Sequence, residues 1–453
     1  MMWSLWFLVS LYSAILGTER GFFKMLQDEI ATDIQNAVDR RFEAQVDFTA
    51  ALVGFPSTRG NEATAQDFMA DAMGERGLTV DRWKLNIDDF KHLPGFSPGV
   101  IDYDNSFNVV GAWRPESPAG KSLILNGHID VVPEGPLDMW DSPPYEARRD
   151  GDRLYGRGAG DMKAGLVSCL FAYDALAEAG FRPAGNVFIQ SVIEEECTGN
   201  GALACLARGY RADAAIIPEP SGDTLFSAQT GTIWQQITVK GHPVHASRAT
   251  EGFNAIKAAY VLIQALEELE AKWNSEKDRH HHHAGHHHPI NFNIGKIAGG
   301  DWPASVPAWC TFDLRAAIFA DDDIHQRARE LEDCIQAAAA QDRHMSNRPP
   351  EIVYQGFMAE GFALSEMENA AEPISLLGHC HEQVYGAALE QSVITGTTDA
   401  RFFDLYANTP GLVYGPRSVD VHGFNEWVDL ESLRKSTQAI ALFMANWCGL
   451  QKI

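Results

Sequence analysis

Asn186-Val-Phe-Ile-Gln-Ser-Val-Ile-Glu-Glu-Glu196 is an apolar run that ends in three consecutive carboxylates. Such a run reads as a buried strand. Acids packed at its end need a positive partner, and a bound divalent metal supplies one most simply. Three further segments have the same form. Ser122-Leu-Ile-Leu-Asn126 runs into Gly127-His128-Ile-Asp130, and Asp213-Ala-Ala-Ile-Ile-Pro218 runs into Glu219-Pro220. Gly158-Ala-Gly160 leads into Asp161, at the start of a helix-like stretch from Met162 to Ala179. In an open α/β sheet, ligands collect outside the carboxyl ends of the strands. His128, Asp161, Glu196 and Glu219 therefore form a candidate ligand set.

The recurring strand-helix units predict an α/β fold with a mostly parallel sheet covered by helices. Helices are expected from about Gln27 to Leu52 and from Glu62 to Glu75, the second ended by Gly77. Near Gln229 the pattern changes. Strands near 232–240, 290–297, 308–319 and 351–354 alternate with helices over 252–271 and 322–340, in the order β-α-β-β-α-β of a ferredoxin-like unit. A unit with both ends in strands inserts into another domain with little disturbance. The expected division is an apolar extension at 1–24, a first catalytic part at 25–228, an inserted lid and dimerisation domain at 229–355, and a second catalytic part at 356–453. That last part returns His422, in Asp420-Val-His-Gly-Phe-Asn-Glu426, as the best further site group.

At 453 residues the chain exceeds one small core, and two or three domains are expected. Lys and Arg number 36 against 61 Asp and Glu, a formal charge of -25 that argues against a nucleic-acid surface. Seven cysteines, with no Cys-x-x-Cys spacing, suit a reducing compartment and buried thiols. Residues 1–17 are apolar but shorter than a membrane span, and the first basic residue is Arg20. They read as a dispensable extension before a start near Met25, a helix packed on the body, or an export or membrane segment. Cytoplasmic residence without a stable membrane partner is the default expectation.

Zinc accepts imidazole nitrogen and carboxylate oxygen, and a pair of ions needs about five or six protein ligands. His128, Asp161, Glu196, Glu219 and His422 fill that need if Asp161 bridges, although each alone is an ordinary surface or loop residue. Glu195 is a separate candidate, a general base or else a capping carboxylate. Arg157 through Lys163 lacks both the dinucleotide fingerprint and the phosphate-loop ending, so no nucleotide cofactor is expected. Cys197 reads as packing rather than as a ligand or nucleophile. In Gly241-His242-Pro-Val-His245, either histidine is a candidate donor to an oxyanion. Seven histidines among positions 280–288 read as an exposed loop that collects metal nonspecifically or, in a sharper version, stores and delivers it.

Together Gly127-His128-Ile-Asp130, Gly158 through Lys163, Glu194-Glu-Glu196, Glu219-Pro220 and His422 resemble the acetylornithine deacetylase, succinyl-diaminopimelate desuccinylase and aminoacylase family of dinuclear zinc hydrolases, over roughly residues 34–447. The resemblance implies two zinc ions, with cobalt able to substitute. It makes His128, Glu219 and His422 terminal ligands, Asp161 the bridge and Glu196 a ligand of the other ion. Glu195 corresponds to the base, and Asp130 orients His128. His245 fits a histidine that the inserted domain brings near the scissile carbonyl, often across a homodimer interface. Arg315 and Arg401 fall in substrate-binding segments and suit a carboxylate. The implied reaction is amide hydrolysis of a small N-acyl amino acid, with acetylornithine the first substrate expected. Succinyl-diaminopimelate, a dipeptide or a carbamoyl amino acid are the alternatives, and a non-catalytic zinc-binding dimerisation protein is the reading from a different class.

Overall fold

The computed structural model describes residues 25–99 and 101–453. The 1–24 extension lies outside them. Three strands that read as continuous apolar runs, Leu123–His128, Val187–Val192 and Ala214–Ile217, are buried along their whole length. Burial on both faces is what such runs require. They pair in parallel, with Leu123–His128 between the other two, so His128 and the residues after Val192 and Ile217 emerge at one edge.

These strands form the centre of a nine-stranded sheet. It continues through Gly411–Val413, parallel to Ala214–Ile217. Thr79–Lys84 and Phe107–Trp113 are antiparallel on one side, and Leu225–Gln229 with Phe362–Ala363 on the other. Gln391–Ile394 pairs in parallel with Leu225–Gln229. The sheet is therefore mixed rather than mostly parallel, with parallel pairing at its centre and antiparallel strands on its flanks. The helix Ala164–Glu178 is buried from Ala164 to Leu176, as its apolar sequence on every side demands. It starts two residues later than expected, since Asp161 and Met162 have non-helical backbone.

The inserted unit has its own core and a four-stranded antiparallel sheet, in the order Phe292–Gly299, Trp309–Ile318, Gly231–Lys240, Glu351–Ala359. Two helices, Ala255–Ser275 and Ile324–Ala340, supply apolar faces to that core. The chain enters and leaves this unit at one point. A Cβ on Gly231 would lie 2.4 Å from the Ala359 carbonyl and 2.7 Å from the Gly361 nitrogen, so only glycine permits the approach.

The histidine tract differs from the exposed loop expected. His283 is fully buried, and burial pushes its imidazole down to about 4. His280 stacks on Phe319 with ring centroids 3.7 Å apart. Aromatic packing and hydrogen bonds fix rings that repetition alone left free.

A third, small sheet joins the two ends of the body, pairing Trp427–Asp429 with Arg153–Tyr155 and with Ser418–Val419. It sets Glu426 under the loop that precedes Asp161. The Glu426 carboxylate accepts hydrogen bonds from the backbone N–H groups of Gly158 (3.2 Å), Gly160 (2.9 Å) and Asp161 (2.9 Å), and pairs with buried Arg157 at 2.5 Å. No helix among the described residues is long and apolar enough to cross a membrane.

Removing one partner of a buried ion pair leaves an uncompensated charge and costs about 3–5 kcal/mol. Glu426→Ala is expected to lose that much stability in denaturant unfolding and to retain less metal at fixed free zinc. Wild-type unfolding and metal content in this variant would disprove the anchoring role.

Candidate metal centre

Strand ends and two turns bring the candidate ligands together. His128 Nε2 lies 3.0 Å from Asp161 Oδ1 and 3.8 Å from Glu219 Oε2. His422 Nε2 lies 3.4 Å from Asp161 Oδ2 and 3.0 Å from Glu196 Oε2. His128, Asp161 and Glu219 form one group, and Asp161, Glu196 and His422 another, with the ligand atoms of each group within 4.8 Å of one another. Asp161 directs a different oxygen to each histidine, the disposition of a bridging carboxylate.

Backbone geometry sets these directions. His422 occupies a left-handed conformation, φ 62°, between Asp420 at φ 56° and Asn425 at φ 57°. Non-glycine residues there carry strain that the surrounding structure must hold. Glu194, at φ 68°, turns the chain out of the extended conformation, and its carbonyl accepts from Thr198 N and Gly199 N. For that reason Glu195 and Glu196 both border the same cleft instead of alternating across a strand. Glu195 Oε2 stands 3.9 Å from His128 Nε2.

Glu194 takes no part in the ligand groups. Arg59 grips it through two nitrogens, at 2.5 and 2.9 Å, and Tyr103 and Thr198 donate to it. One of the three acids thus has its positive partner within the protein. Asp130 acts through two different groups. Its backbone carbonyl sits 2.9 Å from His128 Nδ1, whereas its carboxylate is 3.7 Å away and accepts from the Glu195 and Glu196 amides. A proton on Nδ1 directed at that carbonyl leaves the Nε2 lone pair free for a cation.

The electrostatics fit a bound cation. Burial raises the Glu195 and Glu219 carboxyls well above their ordinary range, reinforced by neighbouring carboxylates. The Glu196 charge pulls His422 up to about 11. Burial opposes a charge on His128, yet Glu219 and Asp161 raise it. Glu219 Oε1 is buried without a hydrogen-bond partner among the described residues. An orphaned carboxylate oxygen in one group with the His128 imidazole and the Asp161 carboxylate is a donor set awaiting positive charge, and the residues fit a pair of divalent ions.

A cleft of about 890 Å³ runs from Glu195, Glu196 and His422 to the inserted domain, where Trp234, Asp313 and Arg315 line it. Arg315 meets the carbonyls of Asn291 and Thr395 and the Thr232 hydroxyl. Arg401, expected at the substrate or else as a structural residue, does not line the cleft. It is buried, stacks on Phe402 and donates to the carbonyls of Thr198 and Gly95, because its helix turns it into the body. His245 is exposed on the inserted domain, caps the turn Ala246–Glu251 and does not line the cleft. Cys197 is buried and donates to Glu194, with burial pushing the thiol well up.

Two residues escaped the sequence reading. Glu426 ends the segment that holds His422. Asp399, two positions before Arg401, is buried with neither oxygen hydrogen-bonded among the described residues, and burial pushes it up to about 7. Both acids lie inside segments singled out for a neighbour, and that adjacency was the available signal.

A two-group carboxylate and imidazole centre facing a cleft defines a metal-dependent hydrolase. Residues 124–446 match the model of peptidase family M20/M25/M40, and the chain belongs to that family. It is 29% identical to an N-formyl-4-amino-5-aminomethyl-2-methylpyrimidine deformylase of Halalkalibacterium halodurans, covering 94% of this chain and 100% of the relative. It is 28% identical to a succinyl-diaminopimelate desuccinylase of Azoarcus sp., covering 72% and 82%. Human carnosine dipeptidase 1 shares the fold, with a TM-score of 0.71 at 13% identity over 92% of this chain and 99% of that one.

The neighbouring acids are expected to separate in experiment. Glu195→Ala should keep tight metal while losing most turnover, about 100-fold or more. Glu196→Ala should lose metal first. Metal analysis beside turnover checks this, and equal metal loss in the two variants would refute it.

Proposed function

We propose that the chain hydrolyses the amide bond of a small N-acylated substrate that carries a free carboxylate, using two zinc ions held by His128, Asp161, Glu219, Glu196 and His422. The observation that carries the substrate class is Arg315, a largely buried guanidinium at the cleft with carbonyl and hydroxyl partners only, among the described residues. Burial lowers its pKa, and a substrate carboxylate would restore a counter-charge through two parallel hydrogen bonds. Imidazole and carboxylate donors suit zinc, and cobalt fits the same set. Zinc bound there supplies Lewis acidity toward the carbonyl and acidifies water.

Glu195 faces the cleft and accepts a proton from the attacking water. It returns that proton to the leaving amine, so water and amide become carboxylic acid and amine. Asp130 holds the Glu195 and Glu196 backbone and, through its carbonyl, the His128 ring. The inserted domain, read as a ferredoxin-like lid spanning 229–355 between catalytic parts 25–228 and 356–453, carries Arg315 over the centre. His245 points to a homodimer in which each lid serves the partner's site.

Among carboxylate-bearing substrates, a succinylated amino acid has more support than acetylornithine, because desuccinylases are among the relatives. A second reading, removal of a formyl group from an aminomethylpyrimidine, has two specific supports. The deformylase matches over its full length. The cleft also has an aromatic corner of Trp234 and Phe357, 5.4 Å apart, where the Trp234 N–H is buried without a partner among the described residues and suits a flat heterocycle.

Zinc-loaded protein assayed on N-succinyl and N-acetyl amino acids, dipeptides and N-formylaminomethylpyrimidine should prefer a carboxylate-bearing amide. Arg315→Met should raise its KM roughly 10–100-fold, the worth of one charged hydrogen-bonded pair. If the formylated pyrimidine is best and its KM ignores Arg315→Met, the second reading replaces the first. For the shared site, mixing Glu195→Ala with His245→Ala subunits is expected to restore activity. Proven heterodimers that stay inactive would place His245 outside the partner's site.

A further inference from the structure

Most rings of the histidine tract are committed to neighbours. His280 Nδ1 meets Asp321 at 2.5 Å, and His283 Nε2 accepts from Ala320 N at 3.4 Å. His286 Nε2 lies 3.1 Å from the Val393 carbonyl, and His288 Nε2 lies 2.9 Å from Glu270. His281 and His282 are left side by side, ring centroids 3.7 Å apart, next to Glu366. His282 Nε2 is 3.3 Å from Glu366 Oε1, and one ligand atom from each of the three lies within 4.8 Å of the others.

These groups come from opposite sides of the junction. The histidines belong to the inserted unit. Glu366 follows Phe362–Ala363, a strand of the nine-stranded sheet, just after the chain returns to the body. A surface histidine and carboxylate pair is worth about 0–1 kcal/mol and involves His282 alone. It gives no account of the second imidazole. Two imidazoles and one carboxylate with open positions toward water form a donor set for a borderline ion such as zinc, nickel or copper, and a poor one for magnesium or calcium.

We propose that His281, His282 and Glu366 form a further divalent-metal site, separate from the dinuclear centre, which ties the inserted domain to the body. An ion there cross-links the two units next to the Gly231 and Gly361 crossing and restrains the swing of the lid. Metal supply then acts on closure and opening as well as on the chemical centre.

Protein with its dinuclear centre loaded and free of excess metal is titrated with zinc chloride by calorimetry, as wild type and as His282→Ala, Glu366→Ala and His287→Ala. His287 is an exposed ring of the same tract outside the cluster. Zinc affinity should fall at least ten-fold in His282→Ala and Glu366→Ala, and less than two-fold in His287→Ala. Glu366 is the deciding position because it lies outside the tract and is exposed, so its replacement leaves the core intact. Unchanged affinity in Glu366→Ala, or an equal loss in His287→Ala, overturns the site in favour of nonspecific capture by the tract.

Discussion

The Glu426 carboxylate is the group on which the rest of the centre depends. It is buried against Arg157 and receives three backbone N–H groups from the loop before and at Asp161. Those contacts join segments more than 260 positions apart. They also aim the one acid that both ligand groups share. A buried charge of this kind contributes little net stability, because desolvation consumes most of the attraction. Its value is geometric, since in this arrangement the loop's N–H groups and Arg157 together satisfy the charge.

The same economy recurs around the centre. Arg59 holds Glu194 so that Glu195 and Glu196 both turn toward the cleft, and Asp130 clamps those residues while its carbonyl sets the His128 ring. Three acids that read alike in sequence thus have three surroundings. One is neutralised by arginine, one faces the cleft, and one lies against His422. Side-chain donors hold Glu194, and hydrogen bonds from the Glu195 and Glu196 amides to Asp130 hold the other two.

The apolar strands and the residues that follow them were legible because burial on both faces leaves no alternative to continuous hydrophobic runs, and strand ends collect at one edge. His128, Asp161, Glu196 and Glu219 were readable as candidates on that basis, and His422 as the group that the returning segment could supply. Two strands of the inserted unit were legible from alternation in 232–240 and 308–319, against Gly231–Lys240 and Trp309–Ile318 in the fold. What stayed hidden depended on the third dimension. Arg401 and Arg315 look equivalent as arginines after strand-like runs, yet one points into the body and the other to the cleft. The antiparallel flanks of the large sheet were hidden too, because pairing direction leaves no periodic mark. Repetition in the histidine tract concealed that Phe319 and Asp321 give individual rings fixed places.

The single crossing at Gly231 and Gly361 has a consequence for descent and for engineering. Both ends of the inserted unit emerge at one spot, so the unit is a graftable cartridge. A different lid joined at those two glycines would leave the large sheet and its ligands in place. Arg315 rides on the cartridge, whereas Glu195 and the ligand groups stay with the body. A cleft-lining arginine and the metal-ligand groups therefore sit on separately exchangeable pieces of one chain, so the lining of the cleft can be changed without rebuilding the ligand set.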